Sequence, residues 1–297
     1  MPYPKLPAPA PGEALLTCAC YEQDTPLWNG VLRALGGRRD GDVLALADGS
    51  VRLRLARHPG WGSLHGGNVP ALLPESCEAP PVAVLADTAA VYGGHLLLLV
   101  DLRDVPGRGV RIPADRLASV LRSVLDGSLR FDRLVRDMDR MGIHGGDGGA
   151  PATPTPTAVV RRTYPQLPAG DGTLLVRTDF ADGAGWQSLL DALGERDEDG
   201  LFTGEGLTEG PELFADLVEG PEFAHLQPGQ VPALVPPATH PVMVVLADAE
   251  ALADPAHPLL AVDLYDTPGQ AARVPLAEIG SMAVNLEIAN MDFGDFV

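Results

Sequence analysis

Asp101-Leu-Arg-Asp-Val-Pro-Gly107 returns as Asp263-Leu-Tyr-Asp-Thr-Pro-Gly269, an offset of 263 − 101 = 162. The same offset carries Arg111 onto Arg273, Pro113 onto Pro275, Ser119 onto Ser281, Phe131 onto Phe293 and Val135 onto Val297. Across residues 101–135 and 263–297, 10 of 35 ungapped positions are identical, where background composition would give roughly 2. Upstream, Val69-Pro-Ala-Leu72 matches Val231-Pro-Ala-Leu234, and Leu15-Leu16 and Trp28 fall on Leu174-Leu175 and Trp186 with small shifts. A fixed period is the signature of repeat architecture. The 297 residues therefore read as a tandem duplication, copy one at 13–140 and copy two at 172–297. Residues 141–171 read as a linker: His144-Gly-Gly-Asp-Gly-Gly149 is flexible in composition, and Pro151-Ala-Thr-Pro-Thr-Pro-Thr157 stiffer.

Copy two sets out the elements of one repeat. Leu174 to Phe180 reads as a strand. Trp186, Leu189, Leu190 and Leu193 share one helical face behind a capping Asp182, and Gly194 ends the helix. Glu212–Val218 reads as a strand, because its counterpart Val51-Arg-Leu-Arg-Leu55 alternates; Gln230–Leu234 reads as a short helical turn. Val242–Leu246 and Leu259–Leu264 are continuous apolar runs of buried-strand length. Thr267-Pro-Gly269 turns the chain into a short strand at Ala271–Val274, and a helix begins near Leu276. The order β-α-β-α-β-β-β-α predicts two homologous α/β domains, each a mixed β-sheet packed with helices.

Composition narrows the function classes. Lys+Arg is 21 against Asp+Glu 40, a net charge of −19, which argues against binding nucleic acid through its phosphates or an anionic membrane surface. Lys5 is the only lysine, so a phosphate-loop, Schiff-base or kinase-type lysine is excluded from the folded part. The apolar stretches, Leu96–Val100 among them, have strand length and do not span a membrane. Met1–Pro11 is proline-rich and lacks the pattern of a signal peptide. Cys18, Cys20 and Cys77 are an odd set without a disulfide framework, and the cytoplasm is the expected compartment.

Leu175-Val-Arg-Thr-Asp-Phe180, Val262-Asp-Leu-Tyr-Asp266 and Asn285-Leu-Glu-Ile-Ala-Asn-Met-Asp-Phe293 stand out in copy two. Through them it resembles a family of small acidic bacterial domains of unknown function. The resemblance covers residues 172–297, and copy one only through the repeat. Copy one departs from it where Cys18 and Cys20 replace Arg177 and Asp179. The resemblance implies domain boundaries and no activity.

The candidate binding residues are Arg177, Asp179, Asp248, Asp263, Asp266 and Arg273. The four aspartates follow the C-terminal ends of strands, where ligands bind in open α/β sheets; carboxylates converging there could hold Mg²⁺. The alternative is that they cap helices and turns. Arg177 and Arg273 either pair with these aspartates or bind an anion. Cys18-Ala-Cys20 places two thiols on one side of a strand, as small core residues or as metal or redox chemistry. Ser63 with His65 lacks a nucleophile elbow. None of the seven histidines forms a metal-binding helix pair. Trp28 and Trp186 read as core. Asn285, Asn290 and Asp292 are polar residues in an otherwise apolar final segment.

No catalytic residue, metal ligand or cofactor is assigned from these patterns. The function expected is a non-enzymatic interaction protein whose acidic tandem domains recognise a basic protein partner, immunity-, inhibitor- or adaptor-like. The alternative is an enzyme or metal-dependent small-molecule binder using the strand-end aspartates of copy two, and the convergence of Asp179, Asp248 and Asp263 separates the two. Copy two is expected to carry any site. Oligomeric state is open.

Overall fold

The computed structural model describes residues 3–20, 25–62, 64–74, 80–150, 163–170, 172–198, 200–207, 212–237 and 239–297. Ser63, Cys77 and the Pro/Thr stretch from Pro151 to Thr157 lie outside them. The chain divides between residues 150 and 151 into two compact units, one per copy.

Copy one runs β1 (Glu13–Cys18), α1 (Thr25–Leu35), β2 (Arg38–Asp40), β3 (Val43–Leu46), β4 (Val51–Arg57), α2 (Val69–Leu72), β5 (Val82–Ala86), α3 (Thr88–Tyr92), β6 (Leu96–Asp101), β7 (Gly109–Pro113), α4 (Ala114–Leu125) and α5 (Phe131–Arg136). Its sheet has the order β2-β3-β4-β1-β5-β6-β7. β1 lies parallel to β4 and β5, and the strands outside that trio pair antiparallel. From β1 the chain crosses to β4 on one side and then back past β1 to β5. Crossovers of one hand that travel in opposite directions along a sheet fall on opposite faces. Accordingly Trp28 and Val31 of α1 share a core with Leu117 and Leu121 of α4, while Trp61, Leu64 and Val69 of the second crossover pack on the other face. The strands alternate between the two: Ala14, Leu16 and Cys18 face the helices, Leu15 faces the crossover.

Copy two runs β8 (Thr173–Arg177), α6 (Gly183–Leu193), β9 (Leu201–Phe202), β10 (Leu213–Val218), β11 (Met243–Ala247), α7 (Ala249–Ala253), β12 (Leu259–Asp263), β13 (Ala271–Val274) and α8 (Leu276–Glu287). Its sheet order is β13-β12-β11-β8-β10-β9, with β8 parallel to β10 and β11. Both copies are α/β domains built on a mixed sheet. α4 and α8 have the same bounds at the 162-residue offset, and Asp101 and Asp263 end equivalent strands. The predicted helical turn at Gln230–Leu234 is a pair of 3-10 turns, Pro228–Gln230 and Pro232–Leu234. α7 and β9 were absent from the sequence-based order. α7 is a single capped turn, too short to show a 3.6-residue period.

The linker expectation needs correction at both ends. Arg111 N donates to Gly142 O and His144 N to Arg111 O, so residues 142–144 lie along the edge strand β7. Asp139 is buried and accepts from the amides of Met141, Ile143 and Gly148. The glycine-rich stretch is thus part of copy one. On the other side, Leu167 is 2% exposed, its amide donates to Leu234 O at 2.9 Å, and the Tyr164 hydroxyl donates to Ala224 O. The proline-rich start of the chain does the same in copy one: Leu6 is buried and its amide donates to Leu72 O at 2.9 Å. Trp61 Nε1 donates to Pro4 O, and Lys5 Nζ to Ala71 O at 2.9 Å. Tyr3-Pro-Lys-Leu-Pro-Ala8 and Tyr164-Pro-Gln-Leu-Pro-Ala169 are one motif. Each repeat opens with a proline-rich strap that packs, with the second crossover, on the sheet face opposite the long helices. Among the described residues no helix is long and apolar enough to cross a membrane.

Candidate functional site

Strand direction decides which aspartates can meet. Ala247, the last residue of β11, pairs with Arg177, the last of β8, so Asp248 and Asp179 leave the sheet on one edge. β12 is antiparallel to β11, and Asp263 pairs with Met243, the first residue of β11. Five residues of extended chain separate Met243 from Asp248, about 17 Å. The convergence of Asp179, Asp248 and Asp263 that a metal-dependent site would need therefore does not occur: Asp263 and Asp266 lie on the opposite sheet edge. The rule that strand ends share an edge holds for parallel strands only, and β12 reverses.

On the first edge, Asp248 caps α7, accepting from Ala251 N at 3.0 Å, and takes both arms of Arg273 at 2.7 Å each. Glu250 adds a contact at 3.2 Å. Burial alone would ease proton loss from Arg273; the hydrogen bonds and charge of Asp248, with Glu250, outweigh it and hold the guanidinium above its ordinary value. Copy one repeats the wiring: Asp87 caps α3 through Ala90 N, and Arg111 meets Asp87 at 2.7 Å. An Asp–Arg pair at the same place in both copies favours a role in the fold.

Arg177 is placed differently. Its Nε donates to Asp179 O at 2.9 Å, and its guanidinium stacks 4.7 Å from the Phe180 ring and 5.2 Å from the Trp186 ring. Among the described residues it makes no ion pair with a carboxylate; the Asp179 side chain accepts instead from Ala181 N and Asp182 N. Asp182 caps α6 through Gly185 N, and Trp186 Nε1 donates to Glu219 at 2.8 Å. The copy-one position of Arg177 is Cys18, because Ala19 N donates to Ala86 O as Thr178 N does to Ala247 O.

On the second edge, Asp263 is buried and accepts from the amides of Tyr265, Asp266 and Thr267. Gly269, at φ +88°, completes the turn, as Gly107 does at +93° in copy one. Asp266 accepts from Phe293 N at 3.0 Å and ties the last segment to this turn. Copy one neutralises its buried carboxylate: Arg108, itself buried, lies 3.1 Å from Asp101 and 2.7 Å from Asp132. Gln270 and Gly294 occupy those positions in copy two. Burial, then the charge of Asp266, push the Asp263 carboxyl up to about 7 against the pull of the three backbone donors.

The asparagine tail closes α8. Asn285 Nδ2 donates to Ser281 O at 2.8 Å, and Asn290 Nδ2 to Asn285 Oδ1 at 2.7 Å. Asp292 and Asp295 cap the final 3-10 turn, Phe293–Phe296. One polar pair escaped the sequence reading. His257, buried at φ +44°, holds the Ala251 carbonyl through Nδ1 and meets the Ser188 hydroxyl through Nε2 at 3.1 Å. The partners are 69 residues apart in sequence, and no local spacing announces them. Ser188 sits inside α6, whose amides are taken up by the helix, so this pair lacks the free N–H donors that acyl transfer needs. Among the described residues no three His, Cys, Asp or Glu side chains gather as a metal site.

The fold and its repeated wiring define a class: tandem α/β domains, the long helices on one sheet face and a strap with short helical turns on the other. Residues 13–147 and 172–297 both match the model of one family, described as a domain of unknown function (DUF6924). The chain belongs to that family and carries its domain twice. No curated protein and no solved structure matches the chain.

Proposed function

We propose that this is a non-enzymatic interaction protein whose second copy docks a basic protein partner. One observation carries the reading. Tyr265, Val284 and Ile288 are 48%, 39% and 67% exposed. At the 162-residue offset their copy-one counterparts are Arg103, Arg122 and Asp126, which are exposed as well. Equivalent surface positions are thus polar in one copy and apolar in the other. Val284 and Ile288 stand one turn apart at the end of α8. The segment that follows returns through Phe293 to Asp266, next to Tyr265. Exposed Glu287, Asp292 and Asp295 belong to the same end of the domain.

Clustered apolar side chains with a polar rim characterise interaction surfaces, and an acidic rim favours a cationic partner. The carboxylates at the strand ends are engaged by backbone amides or by Arg273, which weighs against the reading as a metal-dependent enzyme. A cytoplasmic setting is part of the proposal, supported by three cysteines without a disulfide framework.

The test compares the wild-type chain with the triple variant Tyr265→Arg, Val284→Arg, Ile288→Asp, which installs the copy-one residues. Cross-linking in the native extract and mass spectrometry identify the partner. The expected result is a basic protein whose binding to the purified chain is lost in the variant while circular dichroism is unchanged. Association should slow at high salt with little change in dissociation, because screening acts over ~8–10 Å. Equal binding by both chains would remove this surface from consideration.

A further inference from the structure

The two thiols of copy one occupy the place that Arg177 and Asp179 hold in copy two, and nothing in the proposed docking surface uses them. Cys18 ends the central strand β1 and packs with Trp28 on the helix side of the sheet. Cys20 follows on the same side, half-buried against that core. Their sulfurs lie 3.6 Å apart. We propose that Cys18 and Cys20 form a redox-active dithiol that a low-molecular-weight disulfide oxidises to an intramolecular Cys18–Cys20 disulfide.

Geometry carries the proposal. Two steps of extended chain span about 6.6 Å, at the upper end of the Cα separations that a disulfide bridges, about 4.4–6.8 Å. Closure therefore needs a small shift of Cys20, which lies beyond the last strand residue. The pair sits on the edge where the parallel strands β4, β1 and β5 end, so Cys20 keeps access to solvent while Cys18 is buried. Arg57 is the β4 residue paired with Cys18. The hydrogen bond between the sulfurs draws the Cys18 thiol down despite burial, with Arg57 adding to the effect; the same bond, burial, the Cys18 charge and Asp87 push Cys20 up. These shifts favour the thiolate on Cys18; access to solvent, not acidity, makes Cys20 the sulfur that meets an oxidant.

The exchange balances without a further reagent. Cys20 gives its proton to solvent and attacks one sulfur of the oxidant R–S–S–R, forming a mixed disulfide and expelling RS⁻, which takes up a proton. Cys18 then gives its proton to solvent and attacks the Cys20 sulfur, breaking the mixed disulfide and expelling the second RS⁻, which takes up a proton in turn. The products are two thiols RSH and one protein disulfide, so the oxidant is reduced by the two electrons the cysteine pair loses.

The experiment uses the full chain carrying Cys77→Ser, so that Cys18 and Cys20 are the only thiols. It is incubated with oxidised glutathione, alkylated and read by peptide mass spectrometry. The expected product is a peptide lighter by two hydrogens, carrying neither alkyl group nor glutathione, and restored by dithiothreitol. With Cys18→Ser added, glutathione should stay trapped on Cys20. With Cys20→Ser added, the buried Cys18 should react at least tenfold more slowly. Full alkylation of both cysteines after oxidant, or a stable glutathione adduct on Cys20 beside an alkylatable Cys18, would overturn the proposal. The Cys77→Ser chain keeps both reacting residues in place, so its result stands even if a further serine variant folds poorly.

Discussion

Replacing Leu167 by alanine tests whether the strap belongs to copy two. Leu167 is 2% exposed and shares a core with Leu174, Val176, Phe223, Val231 and Leu246. Truncating a buried leucine costs about 2–5 kcal/mol, most where the surroundings cannot collapse into the cavity. The strap's backbone bond to Leu234 O survives the change, so the lower end applies, about 2–3 kcal/mol. For a domain of this size that lowers its transition by roughly 10 °C. Hydrogen exchange followed by peptide mass spectrometry locates the effect. Protection should fall in β8 and in residues 221–235, with residues 3–150 unchanged. Leu6→Ala should give the mirror result, loosening β1 and residues 59–72 alone. A loss below about 0.5 kcal/mol, or a loss of protection spread over both copies by either variant, would refute the assignment of one strap to each repeat.

Gln270→Arg should restore to copy two the cation that copy one has in Arg108. The native state holds the Asp263 proton up to about pH 7, against an ordinary value of 3.8. Native protein therefore binds the extra proton between these values, and stability falls as pH rises from about 4 to about 7, by at most ~4 kcal/mol. Urea unfolding of copy two at pH 5 and pH 8 should show this decline in the wild type and a flatter profile in Gln270→Arg; equal slopes would contradict it. Arg273→Ala should destabilise copy two by ~1–2 kcal/mol, since it strands the Asp248 carboxylate at a partly buried helix cap. Arg273→Lys should recover only part of that, because a point charge cannot reproduce the two-armed contact; full recovery in urea melts would show that charge alone matters.

The parts of the fold that depend on periodicity were legible. Trp186, Leu189 and Leu193 face the core of α6 between Asp182 and Gly194, where spacing and capping residues placed them. The hairpin β12–β13 and the start of α8 at Leu276 follow from apolar runs broken by a Pro-Gly turn. What escaped was of two kinds. The strap is proline-rich, and its two anchors, Tyr164 and Leu167, are too few to make a period, so composition read it as linker. The direction of β12 is a property of pairing, invisible in the run Leu259–Asp263 itself, and it moved Asp263 away from Asp248. The loss of Arg108 to Gln270 could have been seen by aligning the copies at the buried positions between the identities. The Cys18–Cys20 pair was legible as two thiols on one side of a strand; their contact distance was not.

Lys5 gives the molecule a reporter at a single address. It is the chain's only lysine, and its ammonium rests on the Ala71 carbonyl beside the point where Leu6 is anchored to Leu72. A side-chain amine reagent therefore labels copy one's strap and no other part of the fold. The amine is exposed, so a probe can be attached there without opening the fold, and the environment of copy one's strap can be followed at this residue while copy two stays silent.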